Sequence, residues 1–164
     1  VKAGETEGTN KVSQGANQEV EDTDTIIKNR EDTASSNTVT IETNDKNDKV
    51  EVTLKDVNIN VGSDSGSALT SNGDVTLTLK GDNSLTGGNG GSGISSNGSL
   101  TITGGENDSL TAKGGSGRSG IFSSGGVTIS GGTVKPLAAT ATAVTASSTT
   151  ASSATTSICR AASS

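Results

Sequence analysis

The chain has 164 residues, room for one domain, but only 27% are hydrophobic; one is aromatic (Phe122), 23 are Gly, and Trp, Tyr, Met and His are missing, whereas folded domains run to roughly 45–50% apolar. The net charge of −6 (18 acidic, 12 basic residues), with no Lys/Arg cluster or stacking aromatics, argues against a nucleic-acid partner. With no His and a single Cys159, the chain lacks Ser-His-Asp or Cys-His machinery, a disulfide framework and the usual zinc site, and no apolar run of about 18 residues marks a membrane span.

Residues 1–34 hold Gly, Glu, Asp, Thr and Lys with little periodicity, and Ile26-Ile27 is their only aliphatic pair. They read as a disordered or irregular lead-in, or in part as a first coil. Residues 35–135 are different. After a weak element, "TVTIE" at Thr38–Glu42, three strand-like segments recur every 25 residues: "VEVTLK" from Val50, "VTLTLK" from Val75 and "LTITGG" from Leu100. A fourth, "GVTISGGTV", follows with a slip of two, so that Val127 and Ile129 match Leu100 and Ile102 at a spacing of 27. Leu69, Ile94 and Ile121 precede the last three segments by six residues each. Apolar residues alternate with polar ones in each segment, which marks one buried face, and Asn-Gly or Gly-Gly pairs supply sharp corners between them.

A period in the twenties with several short strands per period predicts a solenoid. The L-x-x-L-x-L pattern of leucine-rich repeats is missing, so the expected fold is all-β, a single-stranded parallel β-helix of about four coils. One coil cannot bury its inward residues alone. Stacking sets Val52, Leu77, Ile102 and Ile129 about 4.8 Å apart in one column, which lets a thin core of small aliphatics replace a three-dimensional one.

The glycine runs admit ligand readings. "GGNGGSG" and "GGSGRSG" do not fit the phosphate-loop pattern, because no Lys-Ser/Thr follows at the required place and no helix follows at all. The calcium-binding nonapeptide G-G-x-G-x-D fails as well, since Ser or Ile stands where Asp should be. Both runs read as turns between coils. The acidic positions offer more. Continuing the 25-residue register puts Asp56, Gly81 and Glu106 in one column and Asn58, Asn83 and Asp108 in another. Asp82, Asn83, Glu106 and Asp108 would then share one turn and offer oxygens to Ca²⁺; turn capping by Asx residues is the competing explanation. No carboxylate pair faces another across a groove, as a glycoside hydrolase requires, and a non-enzymatic role is expected. Lys113 and Arg118 offer charge for an acidic polysaccharide. Phe122 follows the inward Ile121 and is expected to point outward, as an exposed contact or beneath the tail.

Residues 136–164 lose the period and every glycine, in "PLAATATAVTASSTTASSATTSICRAASS". An Ala/Ser/Thr-rich stalk and an out-of-register translation of further Gly-rich coils both fit such text. In either case the last rung, Val127–Val134, is expected to lack a cap, and an open edge invites pairing with another chain.

From Val39 to Val134 the phrasing "VTLKDVNINV…SGSALTSNGDVTLTLKGDNSLTGGNGGSGISSNGSLTITGG…SGIFSSGGVTISGGTV" resembles bacterial secreted carbohydrate-binding-domain-containing proteins, whose right-handed parallel β-helix is similar to that of pectate lyases. The resemblance implies a right-handed sense for the β-helix, an extracellular or cell-surface location, binding of a cellulose- or pectin-like polysaccharide, and Ca²⁺ sites in some members. A start at Val1 and the Ser, Thr, Asn and Gly content agree with a trimmed secreted product. Three roles follow as expectations: polysaccharide binding or adhesion; a structural stalk or fragment of a larger surface protein without its own ligand; and a calcium-dependent polysaccharide lyase.

Overall fold

The computed structural model describes residues 1–43, 49–138 and 144–151. Among them every regular element is a strand. In chain order these are β1 (Lys2–Ala3), β2 (Asn10–Val12), β3 (Val20–Asp22), β4 (Ile26–Ile27), β5 (Val39–Glu42), β6 (Lys49–Lys55), β7 (Asn58–Asn60), β8 (Leu69–Asn72), β9 (Asp74–Lys80), β10 (Asp82–Thr86), β11 (Ile94–Asn97), β12 (Leu100–Gly104), β13 (Ser109–Lys113), β14 (Ile121–Ile129), β15 (Thr133–Leu137) and β16 (Val144–Ala151).

The strands form a parallel β-solenoid of about four turns. Each turn contributes one strand to each of three stacks. The first stack runs β5, β8, β11, β14 and the second β4, β6, β9, β12, β14, the long β14 passing through both; the third runs β7, β10, β13, β15. Val, Ile, Leu and Thr favour this pleated, half-buried setting. Between the first and second stacks the chain turns at Gly73 and Gly98, whose φ values of 97° and 146° are rarely available to side-chain-bearing residues.

The expected inward columns are present. Val52, Leu77, Ile102 and Ile129 are register partners in succession, as are Val50, Val75, Leu100 and Val127. All eight are buried. On the first stack Leu69, Ile94, Ile121 and Val144 stack in the same way, and on the third Ile59, Leu85, Ala112 and Pro136 do so. No aromatic ring is needed, because each inward residue is covered by its own coil and by the rungs above and below.

Two departures from the expected layout have clear causes. The 25-residue period holds on the second stack from β6 to β12, where Lys55 pairs with Lys80 and Val75 with Leu100, but not around the next corner. On the third stack Asn58 pairs with Ser84 and Asp82 with Ser109, which are offsets of 84 − 58 = 26 and 109 − 82 = 27. The turns before β10 and β13 are longer by one and two residues than the turn before. Asn58, Asn83 and Asp108 therefore do not share a column: Asn58 faces outward, Asn83 faces the core and Asp108 lies in the turn before β13.

The second departure concerns the final rung. The open edge expected at Val127–Val134 is covered over Val127–Ile129 by β16, which pairs in parallel along Ile121–Ile129 with a register shift between Ser123 and Gly126. Ala/Ser/Thr-rich text without glycine thus adds another strand, since Thr and Val satisfy the alternation even where the Asn-Gly corner is lost. Among the described strands β15 ends the third stack, and Pro136 within it has no N–H to offer a neighbour. Cys159, Arg160 and the rest of the tail beyond Ala151 lie outside the described residues.

Residues 1–34 carry β1 to β4. Strand β1 lies parallel to β5, with Lys2 opposite Glu42, and β2 and β3 fold back antiparallel beside it. Strand β4 stacks on β6, with Ile26 opposite Thr53. Ser35 bridges to Ile59 at the same end of the third stack.

Candidate binding face

The acidic corner that the 25-residue register singles out lies around β10 and the turn before β13. Asn83 is 2% exposed and its amide is fully engaged. Its Oδ1 accepts the Val57 N–H at 2.9 Å, and its Nδ2 donates to the Lys80 and Ser109 carbonyls at 3.2 Å each. It clamps three successive coils through their backbones. Asp108 accepts the Gly81 N–H on Oδ1 and the Gly105 N–H on Oδ2, both at 2.8 Å. These two donors hold its carboxyl below the usual carboxylate range, the Gly105 bond acting most strongly. Asp82 accepts the Ser109 hydroxyl at 2.8 Å, and Glu106 is exposed in the turn between β12 and β13. Among the described residues no three His, Cys, Asp or Glu are arranged to hold a metal ion. Asn83 cannot serve such a site, because its Oδ1 is buried and taken by the Val57 N–H; the carboxylates of Asp82, Glu106 and Asp108 keep lone pairs outside these bonds.

The basic and aromatic candidates are spread around a corner. Lys113 is exposed at the end of β13, with Thr86 and Leu137 as register partners on the third stack. Arg118 is exposed on the turn that follows, where its N–H closes onto the Gly115 carbonyl at 3.1 Å. Phe122 lies on the first stack between Ser95 and Thr145 and is 41% exposed. The alternation that buries Ile121 at 0% turns the ring outward. The three residues thus sit on two stacks and the corner between them, and share no single face.

The "GGNGGSG" run shapes the corner between the third and first stacks. A Cβ on Gly91 would strike the Gly66 carbonyl of the coil below, and the Gly91 carbonyl accepts the Gly115 N–H of the coil above at 2.8 Å. Close backbone approach demands glycine here, and no phosphate cradle is formed.

The most regular surface lies on the outside of the second stack. Thr76, Thr101, Thr128 and Thr150 follow one another in register, and Thr53, Thr78 and Thr103 form a parallel column two residues along. All seven are partly or fully exposed. Rungs repeat at about 4.8 Å, and residues i and i+2 lie about 6.7 Å apart along a strand. The result is a two-dimensional lattice of hydroxyls and methyls. Glu51 and Ile26 border it at the N-terminal end of the two columns, and Lys55 and Lys80 flank it at the strand ends. These threonines are legible in "VTLTLK" and "LTITGG" as the polar half of the alternation, but the inward half draws attention first.

A second outward ladder runs over the first stack. Asn97 Nδ2 donates to Asn72 Oδ1 at 3.3 Å, and the Ser124 hydroxyl donates to Asn97 Oδ1 at 3.0 Å. Near the N-terminal end of the solenoid a hollow of about 340 Å³ is lined by Lys28, Asn29, Glu31, Asp32, Lys55, Asp56 and Asn58. Its mixed charges select no single ligand class. Compared with known protein families, curated proteins and solved structures, the chain matches none.

Proposed function

We propose that this solenoid is an extracellular surface-binding or adhesion module that engages a polysaccharide along the threonine lattice of its second stack. The in-register columns Thr76–Thr101–Thr128–Thr150 and Thr53–Thr78–Thr103 support the reading. Each threonine hydroxyl both donates and accepts, which suits the dual character of sugar hydroxyls, and each methyl offers a small apolar patch to a sugar face. One such contact is weak. A polymer that meets many at once gains avidity through repetition, provided its geometry permits simultaneous engagement. Phe122 and Lys113 extend the reading to the neighbouring stacks, as a stacking platform and as a charge for an acidic glycan. The resemblance to carbohydrate-binding-domain proteins points the same way.

The test is retention of the full chain on insoluble cellulose and on pectin, with and without a chelator, beside a variant carrying Thr101→Lys and Thr103→Lys. Both positions are solvent-facing, so the variant keeps the strand-rich circular dichroism spectrum. Retention of the parent, loss in the double variant and indifference to chelator are expected. Failure of the parent to bind any glycan would falsify the proposal in favour of a structural spacer. Chelator-sensitive retention would move the site to the acidic corner, and release of soluble products from pectin would make the protein a lyase.

A further inference from the structure

The chain has three Asn-Gly pairs on the described surface, Asn72-Gly73, Asn89-Gly90 and Asn97-Gly98, and their settings differ in a way that bears on covalent chemistry. An asparagine followed by glycine converts spontaneously when the backbone nitrogen of the glycine attacks the side-chain carbonyl carbon. At Asn72 this nitrogen is engaged, since the Gly73 N–H donates to the Asn97 carbonyl at 2.9 Å. At Asn97 the corresponding Gly98 N–H has no acceptor among the described residues, although the Gly98 carbonyl accepts from Gly125 N–H at 3.2 Å and the Ser123 hydroxyl at 2.8 Å. The Asn97 side chain is exposed, and the Ser124 hydroxyl donates to its Oδ1 at 3.0 Å. That oxygen gains negative charge when the nitrogen attacks, so the serine sits where a hydrogen-bond donor favours the reaction.

We infer that Asn97 is a self-deamidation site, selected by the unengaged Gly98 nitrogen and promoted by the Ser124 hydroxyl. The Gly98 nitrogen gives its proton to water or hydroxide and bonds to Asn97 Cγ. The Cγ–Nδ2 bond breaks and ammonia leaves, closing a five-membered succinimide. Water then opens the ring at either carbonyl, giving Asp or isoAsp; the sum is asparagine plus water to acid plus ammonia, with no oxidant or reductant. The isoAsp product lengthens the backbone by one carbon at the corner just before Leu100, which must enter the core as a 1% exposed residue. Modification therefore loosens the β11-to-β12 corner and adds a negative charge to the Asn72–Asn97–Ser124 ladder.

Ageing the full chain at mildly alkaline pH and sequencing its peptides by mass spectrometry tests the inference. Asn97 and the exposed Asn89 should accumulate Asp and isoAsp while Asn72 stays an amide. Ser124→Ala should slow conversion at Asn97 severalfold and leave Asn89 unchanged. In denaturant, where no fold distinguishes the sites, Asn72 should convert as fast as the others. Equal folded-state rates at Asn72 and Asn97 overturn the inference, as does an Asn97 rate indifferent to Ser124→Ala or a lag at Asn72 that persists in denaturant.

Discussion

Asn83 shows how much a single polar side chain contributes when it is enclosed. Its amide satisfies a backbone donor from one coil and carbonyls from two others. Replacing it by alanine strands the buried Val57 N–H, and Asn83→Ala should lower unfolding stability by about 3 kcal/mol, read as a shifted midpoint in denaturant. Ser71 is the opposite case. It is 1% exposed and its hydroxyl lacks a hydrogen-bond partner, although it occupies the same inward column as Ser96 and Ser123, whose hydroxyls both reach the Gly98 carbonyl. Ser71→Ala should therefore raise stability by about 1 kcal/mol. Asp108 gives the fold a pH dependence. Its pKa is depressed in the folded state by the Gly105 and Gly81 N–H donors, so its contribution is complete above its unfolded value of about 3.8 and is lost as pH falls through the lower folded value. Thermal melts in acid should show Asp108→Asn losing less stability than the parent across that window.

Strands and turns obey different rules in this chain. Strand alternation comes directly from residue chemistry, and Leu69, Val75, Leu77, Leu100 and Ile102 can be placed inward from their spacing alone. Ile102→Ala, in the middle of a stack at 0% exposure, should cost about 3 kcal/mol, whereas Phe122→Ala on the outside should change stability by less than about 1 kcal/mol. Turn lengths are harder. The one-residue insertion before β10 is recovered by β12, where the second-stack step is again 25, whereas the two residues added before β13 carry through to the 27-residue step from Leu100 to Val127; extending the 25-residue period across the corner misplaces Asn58, Asn83 and Asp108. Only the backbone path shows where an extra residue is absorbed. Gly91 marks one such tight place, and Gly91→Ala should destabilise the fold, because the new methyl meets the Gly66 carbonyl of the adjacent coil, a backbone atom that cannot swing aside.

At the scale of the molecule, stability is nearly one-dimensional: each coil touches mainly the coils above and below. Removing one period, residues 75–99, joins Asp74 to Leu100 and preserves second-stack register. The shortened chain should still unfold cooperatively, but with a lower midpoint and a smaller dependence on denaturant, because less surface is buried. It also shortens the threonine lattice by one rung, so polymer retention should fall while the fold persists. Composition, the repeat and the alternation were enough by themselves to determine an all-β solenoid, the residues on its inner columns and the outward direction of Phe122, because a pleated strand sends alternate side chains to opposite faces. The tertiary structure alone decided which distant residues share a turn, that β16 covers β14, that Asn83 is a buried clamp, and that seven threonines form one in-register lattice. Those outcomes depend on how many residues each corner absorbs, and backbone closure between neighbouring coils sets that number, not side-chain preference.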